Sequence, residues 1–232
     1  MLFNEEVAHG DGDLNRDLSE AQAPKALSMV REINFRLVTM EGDPAKSGFI
    51  ETYKKAFGEY PYYEEYTTKW VEDNVWKPHQ GHCIIVAEHE GRTIGLGCVH
   101  GIVGNSLSQS SRDYLLSFEN LPFDPEKSVY MSELAVDSSF RGLGLGTKLV
   151  LACYDWAIRN GFETYCLRTA SQGSNSLRLY QRLGGLELQG KHEVSSVEGG
   201  SLPTASKSRV YLWGNLEDCQ KLIEIEKISW KE

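Results

Sequence analysis

Glu133-Leu134-Ala135-Val136-Asp137-Ser138-Ser139-Phe140-Arg141-Gly142-Leu143-Gly144-Leu145-Gly146-Thr147 carries the chain from an extended run into a helix through three glycines at alternate positions. Upstream, Ser128 to Val136 reads as a strand. Downstream, Leu145, Leu149, Ala152, Cys153, Trp156 and Ala157 follow the 3.6-residue period of a helix that Asn160-Gly161 ends. Glycine permits tight turns and lets backbone come close to a ligand. A helix start offers several unpaired N–H groups and the positive end of the helix dipole. Set between strand and helix, such a turn is an anion site suited to a diphosphate, and Arg141 adds a charge that grips a phosphate oxygen.

Three phosphate motifs compete for this turn. A Walker A loop needs Gly-Lys-Ser/Thr at the helix start, whereas the order here is Gly146-Thr147-Lys148. A dinucleotide fingerprint needs G-x-G-x-x-G and an acid at the far end of the next strand; the spacing here is G-x-G-x-G, and Glu163 stands at that strand's beginning. The R-G-x-G-x-G/A turn that binds the diphosphate of coenzyme A fits without adjustment. The plain alternative is a glycine-rich turn with no ligand.

On the N-terminal side, Ile33 to Val38 alternates in polarity as a strand does. Gly42-Asp43-Pro44 opens a helix capped by Asp43, whose apolar stripe is Phe49, Ile50, Tyr53, Ala56 and Phe57 and whose stop is Gly58. A second helix is expected from Tyr63 to Trp76, ended by Pro78. His82–Glu88 and Thr93–Val103 form a hairpin with Gly91 at its turn. Residues 104–127 read as a long insertion with one helix near Arg112 to Phe118.

On the C-terminal side, Thr164–Leu167 is a strand, and Ser174 or Asn175 caps a short helix that runs through Leu183 and stops at Gly184-Gly185. Strands at Leu186–Gln189 and Ser208–Leu212 flank a loop at 198–206. From Leu216 the pattern is open. Ile223 and Ile225 alternate with Glu224 and Glu226 as in a strand, and a helix is equally consistent. The stretch Leu216–Trp230 has two places to pack, the chain's own core, which is favoured, or a second copy in a homodimer. The expected organisation is a flexible acidic extension at 1–32 with a short helix around Ala26–Glu32, a domain at 33–213 and a tail at 214–232.

The 232 residues carry a net charge of −9, which argues against nucleic acid, a partner that demands a basic patch. An acidic field draws in cationic partners such as amines, and it also simply confers solubility. The five cysteines, at 83, 98, 153, 166 and 219, have no paired spacing, so a reducing, cytoplasmic setting is expected. No signal peptide and no apolar run of membrane-spanning length is visible, so no membrane partner is expected. His79, His82, Cys83 and His89 match no strong zinc spacing, and no metal is expected.

The segment from Glu133 to Gly146 resembles the signature strand, loop and diphosphate turn of the GNAT superfamily of acetyl-CoA-dependent N-acetyltransferases. About thirty residues on, Asn175-Ser176-Leu177-Arg178-Leu179-Tyr180-Gln181-Arg182-Leu183-Gly184-Gly185 resembles its second signature, N-x-x-x-x-Y-x-x-x-G-G/F; Leu186 stands where an aromatic is usual. The resemblance covers about residues 33 to 213. It implies an α/β (α+β) GNAT-like fold, with a central mixed, mostly antiparallel sheet of six to seven strands, splayed at the acetyl-CoA strand and flanked by about four helices. It implies transfer of an acetyl group from acetyl-CoA, as co-substrate, by direct attack of an amine in a ternary complex.

That reaction sets the candidate site. The amine must lose a proton, and Glu133 is the candidate base, sharing a strand face with Ala135 while Leu134 and Val136 share the other. Backbone of Leu134, Ala135 and Val136 would pair with the pantetheine arm and donate to the oxyanion. Arg141, Gly142, Leu143, Gly144, Leu145, Gly146 and Thr147 would hold the diphosphate. The resemblance implies that Asn175 bonds the pantetheine and that Tyr180 protonates the leaving thiolate; packing beside Leu177 and Leu183 is the plainer reading of Tyr180. Acids and aromatics concentrate in Gly58-Glu59-Tyr60-Pro61-Tyr62-Tyr63-Glu64-Glu65-Tyr66, and Tyr62, Glu64 and Glu65 are the candidate contacts to a cationic small-molecule amine. A protein lysine or N-terminal amine is the second acceptor class, and a non-catalytic CoA-binding sensor the alternative outside enzymes.

Overall fold

The computed structural model describes residues 33–59, 62–103, 115, 117, 120–171, 175–193 and 208–231. The extension at 1–32 with its expected helix, most of the insertion with its expected helix at 112–118, the cap at Ser174, and the loop at 198–206 lie outside the described residues.

Seven strands form one sheet in the order β1-β2-β3-β4-β5-β7-β6. They are β1 (Asn34–Leu37), β2 (Cys83–His89), β3 (Arg92–Gly101), β4 (Ser128–Val136), β5 (Thr164–Ala170), β6 (Leu186–Glu193) and β7 (Ser208–Asn215). Every neighbouring pair is antiparallel except β4 with β5. The β2–β3 turn is the expected two-residue one. Glu90 and Gly91 both take positive φ, 50° and 75°, the pattern of a type I′ hairpin.

Among the described residues five helices flank the sheet: α1 (Lys46–Gly58), α2 (Thr68–Val71), α3 (Leu145–Arg159), α4 (Asn175–Arg182) and α5 (Leu216–Ile225). On one face, Phe49, Ile50 and Tyr53 of α1 join Val71, Val75 and Trp76 over Ile84, Val86, Leu96, Cys98 and Ala135. Each fully buried side chain of this size contributes roughly 1.5–3 kcal/mol. On the other face α3 lies close upon β3. A Cβ built on Gly95 would meet Leu149 Cδ1 at 2.8 Å, and one on Gly97 would meet Cys153 Sγ at 2.8 Å. Those two glycines set how near helix and sheet approach.

Two expectations are corrected. The second helix does not begin at Tyr63. Residues 62–67 run without helical structure, Tyr63 has a positive φ of 51°, and the helix opens only where Thr67 Oγ1 accepts from Trp70 N–H at 3.1 Å. The helix then widens into a π turn over Glu72–Trp76. Asp43 caps the turn before α1 rather than α1 itself: it accepts from Ala45 N–H at 2.8 Å and pairs with Arg36 at 2.7 Å. The segment from Leu216, open between strand and helix in the sequence, is a helix over Leu216–Ile225.

The last segment, read as a tail, is built into the domain. α5 packs along α3 and buries Leu216, Cys219 and Ile223. Trp230 donates to Asp155 at 2.9 Å and lies under the Arg159 guanidinium, 4.9 Å from its ring centre. Lys231 exchanges backbone bonds with Phe35 and Leu37 along β1, which covers part of an otherwise open sheet edge. All five cysteines are buried and free. Among the described residues no helix is long and apolar enough to cross a membrane.

Candidate active site

The sheet opens in its middle. β4 and β5 pair only from Ser128↔Thr164 to Met131↔Leu167, while β5 continues along β7 as far as Ala170↔Arg209. Beyond Met131, β4 keeps β3 as its neighbour and has no register partner on β5. A bulge sits at the parting point. Cys98 pairs with Glu133 and Val99 with Met131, which leaves Ser132 as the extra residue. Its hydroxyl bonds to Cys98 O at 3.1 Å and meets His79 Nε2 at 2.6 Å.

The register decides what faces the opening. Asp137 N–H donates to Ile94 O at 2.9 Å, toward β3. By alternation the main-chain groups of Ala135 and Glu133 also point to β3, and those of Leu134 and Val136 point into the gap. Arg141 Nε reaches that side and donates to Val136 O at 3.0 Å.

The glycine turn stands at the end of this gap. Gly142 and Gly144 take φ of 80° and 77°, a conformation that suits glycine, and a Cβ on either would meet only open space. Gly146 is the tight position, where a Cβ would come within 3.3 Å of Leu179 of α4. The first intrahelical bond of α3 is Lys148 N–H to Gly144 O at 3.2 Å, so the amides of Leu145, Gly146 and Thr147 have no partner within the helix. Leu143 completes the turn. A buried residue that sequence reading passed over, Asp137, braces the approach. It accepts from Ser139 N–H at 3.0 Å and pairs with Lys55 at 2.9 Å and with Arg92. Burial pushes its carboxyl up, but the Ser139 N–H and Lys55 hold it below the usual range. Glu59 bonds Ser138 and pairs with Arg141 at 3.3 Å, tying the end of α1 to the turn. These parts fit an elongated ligand with a diphosphate: amides and Arg141 at a helix mouth, beside a main-chain edge that β5 leaves uncovered beyond Met131.

Glu133 and Ala135 face α1, as their alternation requires. Ala135 lies in the α1 cluster, and Glu133 lies beside the phenol of Tyr53 on that helix. Protein surrounds the Glu133 carboxyl on most sides, although some of its surface remains accessible. Desolvation pushes its pKa up to about 8; Tyr53 and Arg168 act against the rise and Glu64 adds to it. Glu64 is only 6% exposed. Burial raises its pKa, while a 2.7 Å bond from Tyr66 and the nearby Arg209 and Arg168 lower it.

Tyr180, on α4, is buried and lies near enough to Tyr62, Cys153, Glu133 and Tyr130 for their charges to matter; burial pushes its phenol well above the ordinary value. The structure therefore brings Glu133, Tyr180, Tyr62 and Glu64 together around the gap. It does not bring Glu65 there. Left-handed Tyr63 turns the chain, Glu64 N–H donates to Phe57 O at 2.9 Å, and Glu65 stays exposed. Asn175 is exposed at the start of α4.

Sequence reading missed Tyr53, Tyr66, Arg168 and Arg209. Arg168 of β5 pairs across from Tyr211, and Arg209 of β7 from Ala170. Cross-strand partners share a face. This is the face where Tyr211, Cys166 and Tyr130 pack with Leu115 of the insertion. The two guanidiniums thus stand diagonally across two strands on the side where Glu133 and Glu64 lie. The signal was present: a lone charge within an apolar strand, in Tyr165-Cys166-Leu167-Arg168 and Arg209-Val210-Tyr211-Leu212. The acidic character read from the linker is offset here by these arginines.

The four metal-like residues do not share one centre: His79 and His82 both approach His100, at 5.7 and 6.4 Å between ring centres, while Cys83 and His89 lie elsewhere. His79 is buried, its Nδ1–H donates to Val75 O at 2.6 Å, and its pKa is pushed down to about 3 by burial. Cys83 is buried in β2, and His89 packs on Phe140 at 5.6 Å between ring centres.

A family model described as acetyltransferase (GNAT) family matches residues 47–185. The protein described as "Probable N-acetyltransferase camello" of Xenopus tropicalis is 30% identical over 102 residues, 44% of this chain; the match spans 37% of that relative's length. Among solved structures, Ard1 of Thermoplasma volcanium matches with a TM-score of 0.54 at 14% identity, over 79% of this chain and 97% of that one. The yncA protein of Salmonella typhimurium, solved with its cofactor acetyl-CoA, matches with a TM-score of 0.53 at 19% identity, over 80% and 94%. At these identities the likeness to solved structures is one of fold.

Proposed function

Because the chain belongs to the acetyltransferase (GNAT) family, we propose that it is an N-acetyltransferase that moves the acetyl group of acetyl-CoA to an amine of a small-molecule acceptor by direct attack in a ternary complex. The observation that carries this reading is the edge of β4, left uncovered by β5 beyond Met131, running into the glycine turn at the mouth of α3. When bound, acetyl-CoA supplies an activated thioester; the protein supplies position and proton transfer.

The amides of Leu145, Gly146 and Thr147, with Arg141, hold the diphosphate. Gly142 and Leu143 shape the turn, and open space at Gly142 and Gly144 admits the phosphate oxygens. Leu134 and Val136 bond the extended arm through main chain, and Ala135 between them packs against α1. A gap-facing N–H of Leu134 or Val136 donates to the carbonyl oxygen as charge develops on it, an interaction of about 3 kcal/mol in comparable sites. Asn175, at the rim, bonds the same arm.

Glu133 takes the proton of the attacking amine. A carboxyl with its pKa near 8 binds that proton more readily than an ordinary glutamate, and it works as a base as pH rises toward 8. Tyr180, held in its neutral form by burial, gives its proton to the departing sulfur. Solvent afterwards removes the proton from Glu133 and restores that of Tyr180. Tyr62 and Glu64 bound the acceptor side. Five buried, free cysteines suit a reducing, cytoplasmic setting.

The test is thiol release from acetyl-CoA against a panel of small amines, with the product's mass checked. A gain of one acetyl group on an amine nitrogen supports the reading. Binding of acetyl-CoA without thiol release, over the whole panel and over peptides, supports a CoA-binding module instead.

A further inference from the structure

Arg209 is 8% exposed, and its Nη1 is buried without a hydrogen-bond partner among the described residues. Leaving a buried charged donor unmet is costly, and such groups are normally paired. Arg168 stands diagonally beside it on the same face, and burial and Arg168 together lower the Arg209 pKa. Neither is ion-paired to a carboxylate among the described residues. Glu64, Tyr62 and Tyr66 are near, yet Glu64 spends its short bond on Tyr66.

Two cations held side by side, one with an idle donor, are arranged for an anion that arrives from outside. The diphosphate is provided for at the helix mouth, so this second anion belongs to the acceptor. We propose that Arg168 and Arg209 are a carboxylate subsite, and that the acceptor is an amino acid or a close derivative: an amine and a carboxylate on one small molecule. The inference rests on the acetyltransferase reading and narrows its acceptor. Planar guanidiniums match a carboxylate through paired N–H bonds. Glu133 lies within reach of the charge of Arg168, so a carboxylate bound at the arginines sets its amine toward the base.

The experiment measures kcat/KM for thiol release from acetyl-CoA with each common amino acid and its carboxamide, in the wild type, Arg168→Gln, Arg209→Gln and Arg209→Lys. The best acid is expected to exceed its amide by ten-fold or more. That advantage should fall to about two-fold or less in Arg168→Gln and Arg209→Gln, through acceptor KM, and return in part in Arg209→Lys. Amides that match acids, or an acid advantage that survives both Gln variants, overturn the proposal; so does turnover confined to amines without a carboxylate. Arg168 is less buried, so Arg168→Gln carries the test where Arg209→Gln fails to fold. Where no amine releases thiol, the transferase reading fails separately. Calorimetry of N-acetylglycine, N-acetylmethionine and N-acetylphenylalanine with CoA present then decides the subsite: binding lost in Arg168→Gln upholds it, and no binding to the wild type removes it.

Discussion

The glycine turn and the side-chain cluster proposed to receive the acceptor lie at the same opening of one sheet, but they are built in different ways. The turn is contiguous, Arg141 to Thr147, and acts largely through main-chain amides of a helix start. The pocket is assembled from side chains of α1, the 62–67 segment, β4, β5, α4 and β7, which are up to 156 residues apart between Tyr53 and Arg209. The turn needs backbone freedom and little else. The pocket needs burial, and burial makes its carboxyls hard to ionise and its arginines costly to leave unmatched. On the proposed function, a common carrier is held by the first kind of site and the choice of acceptor rests with the second.

Substitutions in the two kinds of site should have different effects. Glu133→Gln should lower kcat by about 10²–10⁴-fold, the usual range for a positioned base, with acetyl-CoA affinity unchanged. Its pH profile is as informative. A raised pKa means the carboxyl is protonated at neutral pH and ionises as pH climbs, so wild-type kcat/KM should rise toward a pKa near 8, and Glu133→Gln should lose that part of the rise. The same shift bears on stability. A carboxyl more basic in the folded chain than in the unfolded one favours folding at low pH and loses that advantage as pH rises toward 8. Thermal unfolding at pH 8 should therefore show Glu133→Gln above the wild type.

Tyr180→Phe removes only a hydroxyl from a buried helix face. It should lower kcat by roughly 10–10²-fold and leave acetyl-CoA binding intact; equal turnover would return Tyr180 to packing. Next in size is the contrast within one pair. Glu64→Gln, in the pocket, should raise acceptor KM several-fold, whereas Glu65→Gln, exposed, should leave it unchanged in steady-state kinetics. The smallest effect is expected at Tyr63, exposed and held at a φ of 51°. Tyr63→Gly accepts that conformation at no steric cost, and should raise or preserve the melting temperature while keeping kcat.

The same division explains what was legible in the chain. β4, the turn and α3 could be read because their signals are local: period, glycine spacing and a helix stop fall within about thirty residues. The seven-stranded sheet and its splay followed from that unit through family resemblance. Local patterns failed where tertiary context decides. Tyr63 to Thr67 has helical composition, but the pocket needs the chain turned there so that Glu64 enters it. Ile223 and Ile225 alternate like a strand, yet α3 offers an apolar flank to a helix, and the segment takes it. Arg168 and Arg209 were visible as charges in apolar strands, but nothing in the sequence sets β5 and β7 side by side.

On the proposed function the diphosphate of acetyl-CoA sits on the turn before α3. Calorimetric titration of acetyl-CoA into the wild type and Gly144→Val tests that placement. A Cβ at residue 144 meets only open space within the protein, while its φ of 77° suits glycine and strains valine by about 1–2 kcal/mol, so the turn is disturbed at the ligand's own place. The expected result is one site per chain and affinity at least ten-fold weaker in the variant. Equal affinity in the two proteins, or no heat of binding at millimolar acetyl-CoA in the wild type, would contradict it.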